Sequence, residues 1–138
     1  MLQRIQSIWL LLATGFNALT FKLPIYSGDW TKDISPLPVD LNASTTPWIT
    51  IVTALTGLLA FVTIFLFGNR KQQLKLIYLG IFLTACLFAL YVVEINNFQS
   101  GNVALWALFY IAIFACFILA ARGVSKDEKL VKSMDRLR

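Results

Sequence analysis

The sequence contains no histidine, which removes the commonest general base and metal ligand available near neutral pH. Cysteine is nearly as scarce. Cys86 and Cys116 are the two present, and both fall inside long apolar stretches. At ~1.5 Å of helix rise per residue, Cys86 lies ~18 Å and Cys116 ~8 Å from the basic end of its own stretch. A disulfide needs Cα atoms within about 7 Å, so both thiols are expected to be free and to pack as small apolar side chains. Glycine-rich phosphate loops, clustered metal ligands and nucleophile elbows are absent as well. No cofactor and no enzymatic reaction is expected. A quinone-linked thiol oxidase would need exposed cysteine pairs, and a proton-coupled multidrug transporter would need a carboxylate within a span. The apolar stretches hold neither.

Charge is the other shortage. Charged residues make up 14% of the chain and hydrophobic types 58%, where a soluble domain is about a quarter charged. The charges are also segregated, which a globular core with short-period alternation would not show. Stretches 5–23, 48–67, 74–93 and 103–121 are almost free of them. Each is close to the ~20 residues a helix needs to cross a hydrocarbon core, and helix is required because backbone groups in lipid must be satisfied within their own segment. The first is the weakest, interrupted by Ser7, Thr14, Asn17 and Thr20. The expected fold class is all-α: an integral membrane four-helix bundle forming one domain over 1–138, with an outer loop over 24–47 and a short cytoplasmic amphipathic helix over 126–138.

Direction follows from the lysines and arginines of the short loops. Arg4, Arg70, Lys71, Lys75, Arg122 and all five basic residues of the tail fall on one side, whereas Lys22 and Lys32 fall on the other. Both termini are therefore expected in the cytoplasm. Tyr26, Trp30, Trp48, Tyr91 and Trp106 cluster towards the opposite ends, where amphipathic rings meet headgroups. A second reading takes Arg4 and "IWLLLA" as a signal peptide. Against it, no small-x-small cleavage pattern follows and apolar character continues through Phe21 and Leu23.

The loops "GNRKQQ" and "EINNFQSGN" are short enough to make antiparallel hairpins of the second, third and fourth spans. Close approach of helices in lipid relies on small residues along one face. The sequence offers Thr53, Thr56, Gly57, Ala60 and Thr63 in the second span. It offers Gly80, Thr84, Ala85 and Ala89 in the third, and Ala112, Cys116 and Ala120 in the fourth. The first span has Thr14, Gly15, Asn17 and Ala18. Four prolines between Pro24 and Pro47 exclude a continuous helix there. Alternation at Leu37, Val39 and Leu41 suggests a short extended piece, part of an ordered cap rather than a domain. "NAS" at Asn42 matches a glycosylation acceptor by chance, and Glu94 beside Asn96 and Asn97 is read as structural or interfacial.

Asn17 is the one strongly polar side chain inside a span. It either bonds a neighbouring helix or, with Thr53 and Thr56, lines a polar pocket. The tail opens with Ser125-Lys126-Asp127-Glu128, a capping-box pattern. Glu128–Lys132 and Asp135–Arg138 are spaced to pair, and Leu130, Val131, Met134 and Leu137 fall within a stripe roughly 120° wide. So short a helix needs a surface to lie on. One surface is the bilayer, with Lys126, Lys129, Lys132 and Arg136 on anionic cytoplasmic headgroups. The other is a membrane or cytoplasmic protein partner. The net charge of +5 needs no nucleic acid to explain it.

The two ends, "MLQRIQSIWLLLA" and "KDEKLVKSMDRLR", resemble those of a small family of four-span membrane proteins of Bacteroidota catalogued as a domain of unknown function. The specific likeness lies in Gln3-Arg4-Ile5-Gln6 and Lys126 to Arg138. The resemblance implies the inner membrane of a Gram-negative cell and brings no active residues with it. The expected role is that of an accessory or scaffolding subunit, docking through helix seams or the basic tail. The alternative is a small transporter or a lipid- or ligand-binding bundle.

Overall fold

The computed structural model describes residues 3–30, 38–66 and 68–135. In chain order these form α1 (Gln3–Leu19), β1 (Tyr26–Trp30), β2 (Pro38–Leu41), α2 (Pro47–Phe65), α3 (Arg70–Ile95), β3 (Phe98–Val103) and α4 (Ala107–Asp135). The chain is mainly helical. α2, α3 and α4 are each long and apolar enough to cross a membrane, while α1 is a shorter apolar helix.

Local chemistry sets the helix ends. α1 stops at Leu19, four residues short of the expected span, and finishes in turns closed by bonds such as Leu23 N–H to the Leu19 carbonyl at 3.0 Å. Pro24 follows; it has no N–H to continue the ladder and disfavours helical backbone in the residue before it. α2 starts from an extended Thr46 with Pro47 in its first turn, the position where a missing N–H costs nothing. α2 and α3 are joined by the turn after Phe65, where buried Gln73 donates to the Thr63 carbonyl at 3.3 Å.

Each helix runs against two others: α1 against α2 and α4, and α3 against α2 and α4. Long-range bonds fix the directions. Gln6, near the start of α1, donates to Asp127, near the end of α4. At the opposite end Tyr110 donates to the Thr20 carbonyl at 3.3 Å. Small residues admit larger neighbours at the seams. A Cβ on Gly80 would sit 2.4 Å from the Phe117 ring, and one on Gly57 would sit 2.5 Å from Asn17 Oδ1. Thr53, Thr56, Ala60, Thr63, Thr84, Cys116 and Ala120 are buried as the seam pattern expects. Ala18, Ala85 and Ala89 are exposed and belong to no seam within the chain. Both cysteines are free.

The expected all-α class needs one addition, a small antiparallel sheet in the order β2-β1-β3. It stitches the loop after α1 to the connection between α3 and α4. Gly28 faces Gly101, and a Cβ on Gly28 would meet the Ser100 carbonyl oxygen and Gly101 Cα, at 2.2 and 2.7 Å. Only glycine permits that spacing. Tyr26 and Phe98 rings pack edge-on across the strands, with centroids 5.2 Å apart. The strands are tied to the helices through Ala43, whose N–H reaches the Thr20 carbonyl at the end of α1 and whose carbonyl accepts from Thr50 Oγ1 of α2 at 2.9 Å. β2 contains Val39 and Leu41, two of the three alternating residues; Leu37 lies outside the described residues. The fourth span, expected from residue 103, begins later because Val103 closes β3. Asn42 makes a turn, its Oδ1 accepting from the N–H and Oγ of Ser44 at 2.9 and 2.7 Å.

The separate tail helix is corrected. α4 continues without a break from Ala107 to Asp135, so Ser125 sits mid-helix and caps nothing. Gly123 does not end the helix. It makes room for α1 instead, since a Cβ there would lie 2.8 Å from Gln6 Cγ. Val124 and Asp127 are buried on the face turned to α1, which anchors the extension and lets the backbone ladder run on.

Candidate functional site

Polar and apolar residues are distributed unusually. Asn17, Thr20, Thr53, Thr56, Thr63, Gln73 and Thr84 are buried, while Leu11, Ile51, Leu58, Phe61, Phe82, Val93, Leu108 and Ile111 are exposed. The interior has two apolar clusters. One holds Leu10, Ala13, Ile77, Phe117 and Val124, and the other, beside the sheet, holds Leu41, Ile49, Leu87, Tyr91 and Tyr110.

A cavity of about 10 Å³ is lined by Asn17 and Thr20 from the α1 end, Thr53 from α2, Thr84 and Tyr91 from α3, and Tyr110 from α4, with Leu87, Phe88 and Ile113 as apolar walls. That volume suits a single water molecule. Tyr91 donates to Tyr110 at 3.2 Å, and the two rings meet edge-on at 5.0 Å. Thr84 donates to the Gly80 carbonyl at 2.8 Å. Among the described residues, Asn17 Nδ2 and Thr53 Oγ1 are buried with no hydrogen-bond partner. A donor amide and a hydroxyl, unpartnered beside a water-sized void, form a polar site that one small hydrogen-bonding molecule would satisfy.

Asn17 and Thr53 thus line one cavity. Thr56 does not; it is buried one turn away and donates to the Val52 carbonyl at 2.8 Å. Thr20, Tyr91 and Tyr110 complete the pocket beyond the residues the sequence singles out. Tyr91 was placed at a headgroup surface but is 1% exposed. The usable signal is chemical: a phenol inside an apolar helix needs a hydroxyl or carbonyl partner, and two such phenols supply one another.

At the opposite end, Lys132 pairs with Glu128 at 2.8 Å. The bond and charge of Lys132 hold the Glu128 carboxyl below its ordinary range, with Lys71 and Arg70 adding to the effect. Leu130 and Met134 are exposed, Val131 is half-buried, and Lys126 and Lys129 are exposed. Arg136, Leu137 and the Asp135–Arg138 pair fall at or beyond the limit of the described side chains. Among the described residues, no group of His, Cys, Asp or Glu is placed to hold a metal ion.

No curated protein and no solved structure matches the chain. The family model described as domain of unknown function DUF4293 matches residues 2–137, in keeping with the likeness of the two chain ends, and the chain belongs to that family.

Proposed function

We propose that this chain is an integral inner-membrane protein, a four-helix bundle with its basic end in the cytoplasm, serving as an accessory or scaffolding subunit. The observation that carries the membrane reading is the inversion of polarity. Large apolar side chains ring the outside of the helices while amides and hydroxyls are buried. In water such a surface would far exceed the few hundred Å² of contiguous apolar patch that monomers tolerate. In lipid it is the expected arrangement. Four of the buried threonines, Thr20, Thr56, Thr63 and Thr84, bond to backbone carbonyls one turn back.

The accessory role is supported by the exposed Leu130 and Met134 beside exposed cations on α4. A transport role has less support, because the polar cavity admits about one water and no pathway-sized solute. We propose a non-enzymatic role, in keeping with a chain that has no histidine to serve as a general base. Photo-cross-linking from position 134 in living cells tests the accessory reading. One protein adduct of discrete mass, lost on Leu130→Ser, is expected; adducts to lipid alone would contradict it.

A further inference from the structure

A cleft of about 440 Å³ opens between α3 and α4, lined by Tyr78 and Ile81 from α3 and by Ile118, Ala121, Arg122, Ser125, Lys126 and Lys129 from α4. Its chemistry changes along its length. Ile81, Ile118 and Ala121 make an apolar floor, and exposed Phe82 follows Tyr78 one turn along α3. Arg122, Lys126 and Lys129 follow at i, i+4 and i+7 on one helix face, and all three are exposed. Among the described residues none of them has an ion-pair partner; the ion pair there is Lys132–Glu128. α4 is ~43 Å long against a ~30 Å hydrocarbon layer. With its start at the outer boundary, Lys126 and Lys129 lie where the helix leaves the lipid on the basic side, and Arg122, about one turn deeper, reaches that boundary by snorkelling.

We propose that this cleft is a specific site for an anionic glycerophospholipid of the cytoplasmic leaflet, with an acyl chain along Ile81, Ile118 and Ala121 and its phosphate held by Arg122, Lys126 and Lys129. The site rests on the membrane reading above. A free phosphate has no use for the apolar floor, whereas a lipid uses both halves. Arg122 presents a planar fork that suits phosphate oxygens, and the two lysines add mobile point charges. The neighbouring groove lined by Gly68, Arg70, Lys71, Glu128, Val131 and Lys132 is a contrast. There a carboxylate already sits among the cations, and among the described residues Val131 is its one large apolar wall.

The full chain in neutral detergent, titrated with phosphatidylglycerol or with phosphatidylcholine of the same acyl chains and read by native mass spectrometry, tests the site. Phosphatidylglycerol is expected to bind at least tenfold tighter. Each of Arg122→Gln, Lys126→Gln and Lys129→Gln should weaken it roughly fivefold, the worth of one cation near an anionic surface. Ile118→Trp fills the floor without touching charge and should also weaken it. Arg70→Gln with Lys71→Gln removes charge from the other groove and should change binding less than about twofold. Unaltered helical content shows that each variant folds. Equal binding of the two lipids overturns the site, as does an Arg70/Lys71 effect as large as that of the cleft residues. Competition by glycerol phosphate at the lipid's own concentration also overturns it, since a soluble phosphate would then be the ligand. A chain that enters vesicles but shows no preference sinks the site alone, whereas one that stays in solution without detergent removes the membrane reading and the site together.

Discussion

Gly80 and Gly15 are both helical glycines, yet their surroundings differ. A Cβ at Gly80 would press on the Phe117 ring, which is fully buried, while one at Gly15 would meet nothing within 4 Å. Overpacking a filled interior costs about 1–3 kcal/mol, whereas alanine in an open helical position gains up to about 1 kcal/mol over glycine. Gly80→Ala should therefore lower the thermal unfolding midpoint in detergent, and Gly15→Ala should leave it unchanged or raise it. The cavity offers a second single-residue test. Tyr110 donates to a buried backbone carbonyl and accepts from Tyr91. Tyr110→Phe removes both bonds and should destabilise by about 1–3 kcal/mol. Thr53→Val keeps the shape and removes a hydroxyl that lies beside the Tyr91 phenol without a well-formed hydrogen bond, so its effect in the same unfolding assay should be smaller than that of Tyr110→Phe. A loss near that of Tyr110→Phe would show that a bound water uses the Thr53 hydroxyl.

Among the elements, the extension of α4 past the expected span carries the most titratable chemistry. Glu128 has a lowered folded pKa caused first by Lys132 and then by Lys71 and Arg70. A carboxyl of that kind contributes stability above its unfolded value of about 4.3, and the contribution is lost as pH falls through the lowered folded value. The stability difference between the native chain and Glu128→Gln should therefore be present at neutral pH and vanish in acid. A difference that persists unchanged below the folded pKa would contradict the assignment to charge. All four helices were legible because apolar runs of about 20 residues leave little choice of structure, and Pro24 and Pro47 mark real boundaries. The continuity of α4 was not legible. Ser125 and Glu128 form a sound capping pattern, but Asp127 and Gly123 are committed to Gln6, a contact 121 residues away in sequence. The sheet was hidden for a similar reason. "YSGDW" and "FQSGNV" are short, and their pairing depends on Gly28 meeting Gly101 across two separate connections. Asn17 was visible as an oddity within its run. Its neighbours Tyr91 and Tyr110 were not, since aromatic residues near a span end also suit a headgroup surface.

At the scale of the whole molecule, the helix packing and the charge distribution agree. The sheet joins the connections at one end. The start of α1, the α2–α3 turn and the end of α4 lie together at the other, with Arg70, Lys71, Lys75, Arg122, Lys126, Lys129 and Lys132. On the proposed membrane reading, orientation by positive charge would put the sheet outside the cell and the α4 extension in the cytoplasm. Mid-helix surfaces such as Leu58 on α2 and Ile111 on α4, 61% and 58% exposed, would face hydrocarbon. The most direct test uses a chain carrying Cys86→Ala and Cys116→Ala, with single cysteines introduced one at a time as Ser100→Cys, Lys129→Cys, Leu58→Cys or Ile111→Cys. Each is exposed to a membrane-impermeant maleimide on spheroplasts, before and after the inner membrane is opened. Labelling of the Ser100 site from outside, of the Lys129 site only after opening, and of neither mid-helix site is expected. Mid-helix sites that react as fast as the Ser100 site, or Ser100 and Lys129 sites that react from the same side, would contradict a membrane-crossing bundle with its basic end inside.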